Sequence, residues 1–364
     1  MEIIRNVLRY GLLLLNGLLA LLLLVSLLSP YIHPDTFVIP SFLGITFPFW
    51  LLFNLAFLIF WICKWRAYFL ISFCVLLISI PQLSNYFPLH HQNEVPSTAI
   101  KLMTYNCMCF SNMDKNMESD DNILNYIAQS NADIICLQEY MFATARYWSF
   151  DEKYICRVLK KYPYYKFVSK GKGDKVSYGI ACFSKYPITN VERISFESHY
   201  NMSAAFTVRI RKDKSIKIIN NHLESFKLSS EDKKAYTQII KTLDTESMDE
   251  VKTNLVGKMG KAYKLRAKQA DILREYIDKQ DMDLIVCGDF NDTPVSYTYH
   301  TIRQDLKDAF GSTGFGMGTT FNSQFIYFRI DHILYSPSIK AYNCQVNKVK
   351  YSDHYPVTCY FDIP

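Results

Sequence analysis

The stretch DLIVCGDFND, residues 283–292, ends an apolar strand on a cluster of polar residues. Leu284, Ile285 and Val286 form a short uninterrupted apolar run, which is typical of a buried strand. The chain then turns polar at once, with two carboxylates, a carboxamide and a glycine. Strands often end at Gly, Asn and Asp, because these residues tolerate turn conformations. Taken alone, the stretch fits a plain turn and a functional site equally well.

The region around this stretch alternates strand-like and helix-like segments. AIKLMTYN (99–106) and ADIICLQ (132–138) are predicted strands, and DDNILNYIAQS (120–130) between them has helical spacing. Hairpin-like turns are predicted at 185–187 and 211–215. The pattern also predicts a long, charged, mostly helical stretch over 229–280. Residues 225–260 are expected to form a mobile excursion over the active edge. FIYFRIDHILYS (325–336) and HYPVTCYFDI (354–363) are predicted to form the last strand pair.

Three long apolar runs precede this region. They cover residues 7–28, 42–63 and 67–87, and the first two are long enough to cross a bilayer. The apolar core of the third run stops near Pro81. A cleaved signal peptide is the alternative for the first run, but the run is longer than usual and no clear small-x-small cleavage site follows. We therefore expect about three transmembrane helices within residues 1–87, a linker over 88–98 and one large α/β domain over 99–364.

The basic residues of the short loops predict the orientation of this membrane region. Arg5 and Arg9 lie at the start of the first run, and Lys64 and Arg66 separate the second from the third, whereas 29–41 has no Lys or Arg. The positive-inside rule then places the amino terminus in the cytoplasm and, after three crossings, the large domain outside it. If the third run does not cross, the orientation reverses.

The cysteines weigh slightly against an extracytoplasmic domain. The chain has 10 cysteines, without a CxxC pattern or a disulfide framework, whereas an oxidising compartment normally favours paired cysteines. Cys136, Cys182 and Cys287 lie in strand-like segments and are predicted to act as small buried apolar residues. We give the charge rule more weight and predict an integral membrane protein with an extracytoplasmic domain.

Polar residues recur where the predicted strands of the large domain end. They are Asn106, Gln138, Glu139, Asn220, Asn221, His222, Asp289, Asn291, Ser352, Asp353 and His354, with Asp331 inside an apolar strand. Turn chemistry explains any one of these positions but not the whole set. Asp331 is the most informative, since a buried carboxylate needs a partner. His354 is the natural candidate, while strand alternation points His332 to the opposite face, in a structural role.

These residue types favour hydrolytic phosphoryl transfer. Carboxylate and carboxamide oxygens suit Mg²⁺ or Mn²⁺, and too few His and Cys residues cluster for a structural zinc site. A divalent ion neutralises developing charge on a phosphate, an oriented Asp or His activates water, and His and Asn donate hydrogen bonds to phosphate oxygens. The basic loop GKGDK (171–175) is predicted to be a solvated turn rather than a phosphate-binding loop.

The ordered set TYN, LQE, NxHL, GDFN, RIDHI and SDHYPV resembles the endonuclease/exonuclease/phosphatase superfamily, the deoxyribonuclease I-like proteins. Its members include abasic-site endonucleases, neutral sphingomyelinases and inositol polyphosphate 5-phosphatases. The resemblance spans roughly Ile100 to Ile363. It implies a four-layer α/β/β/α sandwich, in which two mixed sheets pack face to face with helices outside.

The resemblance also implies a metal site. Glu139 would be the main ligand of Mg²⁺ or Mn²⁺, assisted by Asn106 and Asp353. Some nuclease members carry a further acid two positions after the first Asn, where this chain has Met108. This departure weakens any assignment of a second metal ion.

The remaining site residues take their roles from the same resemblance. Asp289 would orient or deprotonate the attacking water, and Asn291 would hold the phosphate. His222 would contact the phosphate or the leaving oxygen. Asp331 would orient His354, and this pair would stabilise the transition state or act as a base.

These expectations describe a membrane-anchored, divalent-metal-dependent phosphodiesterase. The alternatives are an inositol-phosphate-type phosphomonoesterase, a catalytically inactive binding module on the same fold, and a membrane scaffolding protein. The sequence does not favour nucleic acid over phospholipid head groups as the substrate, because a formal net charge of +6 does not identify a nucleic-acid binder. The lipid bilayer is the expected partner of the amino-terminal helices, and no protein partner is inferred.

Overall fold

The computed structural model describes residues 2–111, 121–143, 151–172, 176–227, 248–323 and 326–364. The middle of the predicted excursion over 225–260 and the end of the basic loop 171–175 lie outside these residues.

Four helices form the amino-terminal region: α1 (Glu2–Leu27), α2 (Ile39–Ile45), α3 (Phe47–Cys63) and α4 (Phe69–Tyr86). By length and composition α1 and α4 are each able to cross a membrane, and α2 with α3 makes a third candidate span that is bent by 71°. One buried carboxamide joins three of the helices: Asn16 donates to the Ser72 hydroxyl (2.8 Å) and accepts from the Trp61 indole (2.9 Å). Polar side chains that face the inside of a bundle in this way are typical of membrane helices.

The apolar run over 42–63 does not form one continuous helix. The helix breaks at Thr46, between α2 and α3. Pro48 lacks the N–H that an unbroken helix would donate to Gly44, and its ring would clash with that carbonyl. The Thr46 hydroxyl lies 3.1 Å from the Leu43 carbonyl oxygen and satisfies one of the acceptors that the break leaves free.

Two six-stranded mixed sheets make up the large domain. The first sheet has the order β13 (Lys340–Val346), β14 (Val357–Asp362), β1 (Ile100–Asn106), β2 (Ile134–Ala143), β4 (Val176–Ser184), β3 (Tyr164–Lys172). The second has the order β5 (Ile188–Ile194), β6 (Met202–Arg209), β7 (Ser215–His222), β8 (Leu284–Asp289), β12 (Asp331–Tyr335), β9 (Lys307–Asp308). β10 (Phe321–Ser323) and β11 (Ile326–Phe328) form a separate hairpin. The pairs β1–β2 and β7–β8 are parallel.

The sheets pack face to face with helices outside, as the resemblance implied. The core between them contains the predicted buried cysteines Cys136, Cys182 and Cys287, and all ten cysteines are free. Apolar residues of α5 (Asp121–Gln129) pack on the first sheet, beside α6 (Glu152–Val158). Apolar residues of α7 (Met248–Asp278) and α8 (Tyr297–Arg303) pack on the second. A short helix, α9 (Ala309–Thr313), follows β9.

Two sequence expectations about this domain were wrong. The turn at 185–187 is not a hairpin, because β4 and β5 lie in different sheets, whereas the turn at 211–215 does join a hairpin, β6–β7. The last two predicted strands do not pair: β12 pairs with β8 and β9, and β14 with β1 and β13, a strand that was not predicted. Residues 248–260 belong to α7, in agreement with the helical stretch predicted over 229–280.

The bundle and the large domain touch directly. Val295 packs into the apolar core of the bundle, and the Arg329 guanidinium donates to the carbonyl of Asn85 at the end of α4 (2.6 Å). The connection after α1 contacts the domain as well, since Asp35 forms an ion pair with Lys268 (3.1 Å). The predicted linker 88–98 has no helix, and its Leu89 forms an isolated β-bridge with Phe315. The connection after α1 and the end of α4 therefore lie on the same, domain-facing side of the bundle.

Candidate active site

The glycine of GDFND is required by the close approach of β8 to β7. Gly288 has φ +126°, and a Cβ added there would overlap the backbone carbonyl of Asn221 on β7. Three residues further on, the backbone N–H of Asn291 donates to Asp289 Oδ1 (2.8 Å). Asn291 itself has φ 54°, a conformation that Asn tolerates better than most residues. The turn thus brings β8 against β7 and holds the Asp289 carboxylate in one orientation.

Asp289 is the buried centre of a polar cluster. Asn106 Nδ2 at the end of β1 donates to Asp289 Oδ2 (3.1 Å). The same oxygen lies 3.8 Å from His222 Nε2 at the end of β7 and 3.7 Å from His354 Nε2, just before β14. Burial raises the pKa of Asp289 to about 6, and the Asp331 carboxylate adds to the rise while His354 and His222 oppose it. A carboxyl group with this pKa can exchange protons near neutral pH.

Asp331 and His354 form a hydrogen-bonded pair. Asp331 faces Asp289 across the β8–β12 ladder, and its Oδ2 lies 2.9 Å from His354 Nδ1. Burial alone would lower the pKa of His354, but the carboxylates of Asp331 and Asp289 raise it well above its usual value. The Ser352 hydroxyl accepts from the His354 backbone N–H (3.2 Å). His354 is therefore held as an imidazolium whose Nε2–H points towards Asp289.

His222 has the opposite electrostatic environment. Its Nε2 lies 3.6 Å from Glu139 Oε1, but burial is the largest influence and lowers the pKa of the imidazole below its usual value. The site therefore holds one neutral and one charged histidine at neutral pH. Two titratable groups whose pKa values are pushed apart can take different roles in proton transfer.

Glu139 is a more accessible carboxylate at the edge of this cluster. It lies at an irregularity of β2, between Leu137 and Tyr140, with φ 49°. Its side chain is 28% exposed, and Asn106 Nδ2 donates to its Oε1 (3.2 Å). The predicted third ligand, Asp353, lies beside the end of β1. The hydroxyl of its neighbour Ser352 donates to the backbone carbonyl of Asn106, the last residue of that strand (2.9 Å).

Family comparison agrees with this arrangement. The model of the "Endonuclease/Exonuclease/phosphatase family" matches residues 103–354, more than half of the chain and all of the cluster described above.

The chain belongs to the endonuclease/exonuclease/phosphatase family.

A second family model, a domain of unknown function (DUF8431), matches residues 9–86. Members of the endonuclease/exonuclease/phosphatase family are typically hydrolases that act on phosphate esters.

Solved structures share the family fold at low sequence identity. An endonuclease/exonuclease/phosphatase from Beutenbergia cavernae is 17% identical, with 73% of this chain and 72% of that chain covered and a TM-score of 0.50. A family protein from Leptotrichia buccalis is 18% identical, with coverages of 73% and 100% and a TM-score of 0.50. The catalytic domain of human Nocturnin, with bound sulfate, is 17% identical, with coverages of 76% and 97% and a TM-score of 0.51. No curated protein matches the chain.

Two sets of side chains in this family member are candidates for holding a cation. Asp289, Asp331 and His354 offer three ligand atoms within 4.8 Å of one another, all buried. The carboxylates of Asp331 and Asp289, however, raise the pKa of His354, so a metal ion there would compete with a proton for this imidazole. Glu139 offers carboxylate oxygens in a more exposed position, next to the buried carboxamide of Asn106, and this pair fits a hard divalent ion better. Asn106 now turns its Nδ2 towards Glu139, so its carboxamide would have to present Oδ1 to become a ligand.

Two of the predicted polar strand ends are structural. Gln138 Nε2 donates to Asn220 Oδ1 (2.6 Å), and Asn220 Nδ2 donates to the Leu137 carbonyl (3.1 Å), so the pair joins the two sheets beneath the site. His332 has the structural position expected of it. It is buried, and its Nε2 lies 2.9 Å from the backbone carbonyl of Asp292.

Sequence reasoning missed the part that α7 plays at the site. Arg266 is fully buried, forms an ion pair with Asp292 (3.0 Å) and donates to the Glu224 carbonyl (2.6 Å). Gln269, which interrupts the apolar face of the helix in the sequence, accepts from the Glu224 backbone N–H (2.9 Å). Together they fix the chain just after His222. The signal was present in the sequence, as two polar residues three positions apart on an otherwise apolar helix face.

Proposed function

We propose that the chain is a membrane-anchored, divalent-metal-dependent phosphodiesterase that hydrolyses its substrate by attack of water on phosphorus. The observation that carries the proposal is the convergence of Asn106, His222 and His354 on the Asp289 carboxylate, at distances of 3.1, 3.8 and 3.7 Å. These groups come from different strand ends, which is how the fold assembles acid, base and hydrogen-bond donors at one point.

The metal site of this enzyme is Glu139 with Asn106 and Asp353. The family and the oxygen-rich donor set support Mg²⁺ or Mn²⁺ there. Such an ion supplies positive charge for the phosphate and the leaving oxygen. Because the Glu139 side chain is 28% exposed, an ion can reach it from solvent without opening the buried cluster.

Asp289 orients the attacking water and accepts its proton. Its pKa, raised by burial to about 6, keeps it mostly ionised at neutral pH while making it a stronger base than an ordinary aspartate. Neutral His222 contacts the phosphate or the leaving oxygen. Since its pKa is lowered by burial, it adds no fixed charge, and it can accept a proton or donate a hydrogen bond through its ring N–H.

His354 and Asn291 hold the phosphate. The His354 imidazolium, oriented by Asp331, donates its Nε2–H to an oxygen that gains charge in the transition state. Asn291 Nδ2 now donates to the Leu223 carbonyl (2.9 Å), so it must release this bond to donate to a phosphate oxygen. We expect this exchange to accompany substrate binding.

The amino-terminal helices anchor the domain on the extracytoplasmic side. The connection between α1 and α2 and the end of α4 both contact the domain, which agrees with three crossings of the membrane. The basic residues at the other end of the bundle support the same orientation. Protease added to sealed inverted membrane vesicles should leave the catalytic domain intact and reach the loop at Lys64 and Arg66. Digestion of the catalytic domain in these vesicles would reverse the orientation.

The hydrolase proposal is tested on the purified full chain in detergent. Hydrolysis of bis(p-nitrophenyl) phosphate and of p-nitrophenyl phosphate is measured with Mg²⁺, with Mn²⁺ and with chelator. We expect metal-dependent turnover of the diester that Glu139→Gln removes and Glu275→Gln, an exposed carboxylate on α7, leaves intact. Turnover of the monoester alone would make the enzyme a phosphomonoesterase. A folded protein without turnover of either ester would favour a binding module.

A further inference from the structure

An exposed apolar ledge lies where the last membrane helix meets the catalytic domain. It consists of Leu89, Phe315 and Met317, whose exposed fractions are 70%, 65% and 43%. Leu89 follows the end of α4 by three residues and forms an antiparallel bridge with Phe315. The backbone N–H of Gly316 donates to the Pro88 carbonyl (2.8 Å). The catalytic domain thus supplies two of the three ledge residues and holds them against Pro88 and Leu89, just after α4.

The backbone of this loop keeps the apolar side chains outside the domain. Phe315 and Met317 are each flanked by glycines in the sequence GFGMG, 314–318, and Gly316 has φ 83°. Gly318 fits against the ring of Phe310, where a Cβ would overlap it. The loop is therefore fixed by its glycines and by the bond to Pro88. Two large apolar side chains displayed on a fixed loop indicate a surface that something apolar covers.

The ledge continues directly into the active site. Two residues after Gly318, the Thr320 hydroxyl accepts from the backbone N–H of Asp331 (3.0 Å). The next residue, Phe321, pairs with His354 in a β-bridge and packs its ring 5.0 Å from the imidazole. A displacement of the ledge would therefore be transmitted over few residues to the Asp331–His354 pair.

Charge near the ledge complements an anionic head group. Exposed Lys348 lines the same cleft as Phe315 and Met317, a cleft of about 550 Å³, and precedes Asp353 by five residues. Leu77 and Ile80 on α4, the helix that leads to Leu89, are further exposed apolar residues. A lipid bilayer offers both complements, because its acyl region meets apolar side chains and its phosphates meet lysine.

We propose that the apolar ledge is inserted in the lipid bilayer beside α4, so that the active site opens at the membrane surface and its substrate is a membrane-resident phosphate ester. The substrate class rests on the phosphodiesterase proposal, whereas insertion of the ledge does not. Insertion fixes the distance of His354 from the bilayer. A lipid head group would then reach the site without leaving the membrane, and a nucleic acid would be the poorer substrate.

Insertion is tested by fluorescence quenching with the full chain in phosphatidylcholine vesicles, with and without brominated acyl chains. Phe315→Trp is compared with Met282→Trp, a partly exposed apolar position just before β8, at the end of that strand away from Asp289. The native tryptophans are common to both variants, so the added emission reports the new position. We expect the emission added by Phe315→Trp, and not that added by Met282→Trp, to be quenched. Equal, weak quenching of the emission added by the two variants would overturn insertion. The ledge would then be a surface for a protein partner.

The substrate class is tested by a ratio of two rates. The double variant Phe315→Ser, Met317→Ser is compared with the unmodified chain on vesicles of phosphatidylglycerol and sphingomyelin and on bis(p-nitrophenyl) phosphate. We expect the ratio of lipid to soluble-diester hydrolysis to fall at least tenfold, and a ratio cancels any loss from partial unfolding. An unchanged ratio, or cleavage of DNA but not of lipid by the unmodified chain, would overturn the inference. Absence of diester turnover would instead overturn the phosphodiesterase proposal, with the quenching result unaffected.

Discussion

Replacing Arg266 with methionine should destabilise the catalytic domain and slow the enzyme together. Arg266 is fully buried on α7, and its partner Asp292 is 3% exposed and next to Asn291. The substitution keeps much of the apolar bulk but leaves the Asp292 carboxylate buried without its counter-charge. It also removes the donor to the Glu224 carbonyl, two residues after His222.

The size of the effect follows from the burial of both partners. Breaking one side of a buried ion pair costs about 3–5 kcal/mol, because a charge is left desolvated and unpaired. For a domain of this size that loss corresponds to a fall in Tm of about 10 °C. Arg274→Met is the matched control on the same helix. Its partners Asp278 and Asp305 have side chains 57% and 67% exposed, so no buried charge is left behind, and we expect a loss of about 1 kcal/mol at most.

The assay is a double-mutant cycle on the full chain in detergent, read by thermal unfolding and by diester hydrolysis below the transition. Asp292→Asn in the Arg266→Met background removes the unpaired charge and should recover roughly half of the lost stability. Activity should fall about tenfold or more in Arg266→Met even where the protein is folded, since small displacements of His222 and Asn291 are costly. Single effects that add within about 0.5 kcal/mol would refute the coupling, and an Arg274→Met loss as large as that of Arg266→Met would refute the burial argument.

Three further predictions concern the buried charges. Asp289→Asn should abolish hydrolysis yet raise the Tm measured in the presence of chelator. The pKa of Asp289 is raised to about 6 in the folded protein, so ionisation of this carboxyl group lowers the stability of the unmodified chain as pH rises. The gain in Tm should therefore develop between about pH 4 and pH 6 and vanish in more acid buffer. A gain that is the same at every pH would count against this cause. Asp331→Asn should lower kcat about 100-fold with little change in KM, since it removes the carboxylate that orients His354 in the transition state; a change confined to KM would contradict that role. A chain that begins at residue 97 lacks the Asn85 carbonyl that accepts from buried Arg329, and should unfold at a lower temperature than the full chain in the same detergent; equal Tm values would show that this contact is dispensable.

The sequence was sufficient to predict which polar residues come close together, in those cases where strand direction and burial determine their positions. Neighbouring parallel strands end at one edge of a sheet, so the residues after β1 and β2, and after β7 and β8, were bound to meet in pairs. The partner of Asp331 followed from the cost of burying a lone carboxylate, and the structure brings His354 to it at 2.9 Å. The roles of these residues in catalysis and metal binding stay predictions.

The missed features depend on partners that lie far apart in the chain. The left-handed conformation of Glu139 arises from the register shift of β2 against β4, which periodicity does not report. Likewise, apolar alternation identified β12 and β14 as strands but could not assign them to different sheets. The break at Thr46 was readable, since Pro48 stands inside the apolar run. Arg266 was readable only as a polar residue on an apolar face, without its partner.

The measurement that tests the central claim most directly is a hydrolysis panel on the full chain with Mg²⁺ or Mn²⁺. The panel contains single- and double-stranded DNA, RNA, sphingomyelin-type lipids and inositol phosphates, and each assay is repeated with Glu139→Gln and with Glu275→Gln. We predict metal-dependent turnover of a phosphodiester, highest for the lipid, that Glu139→Gln removes and Glu275→Gln retains. Turnover that survives in Glu139→Gln, or no turnover of any substrate by the folded protein with metal, would contradict the account.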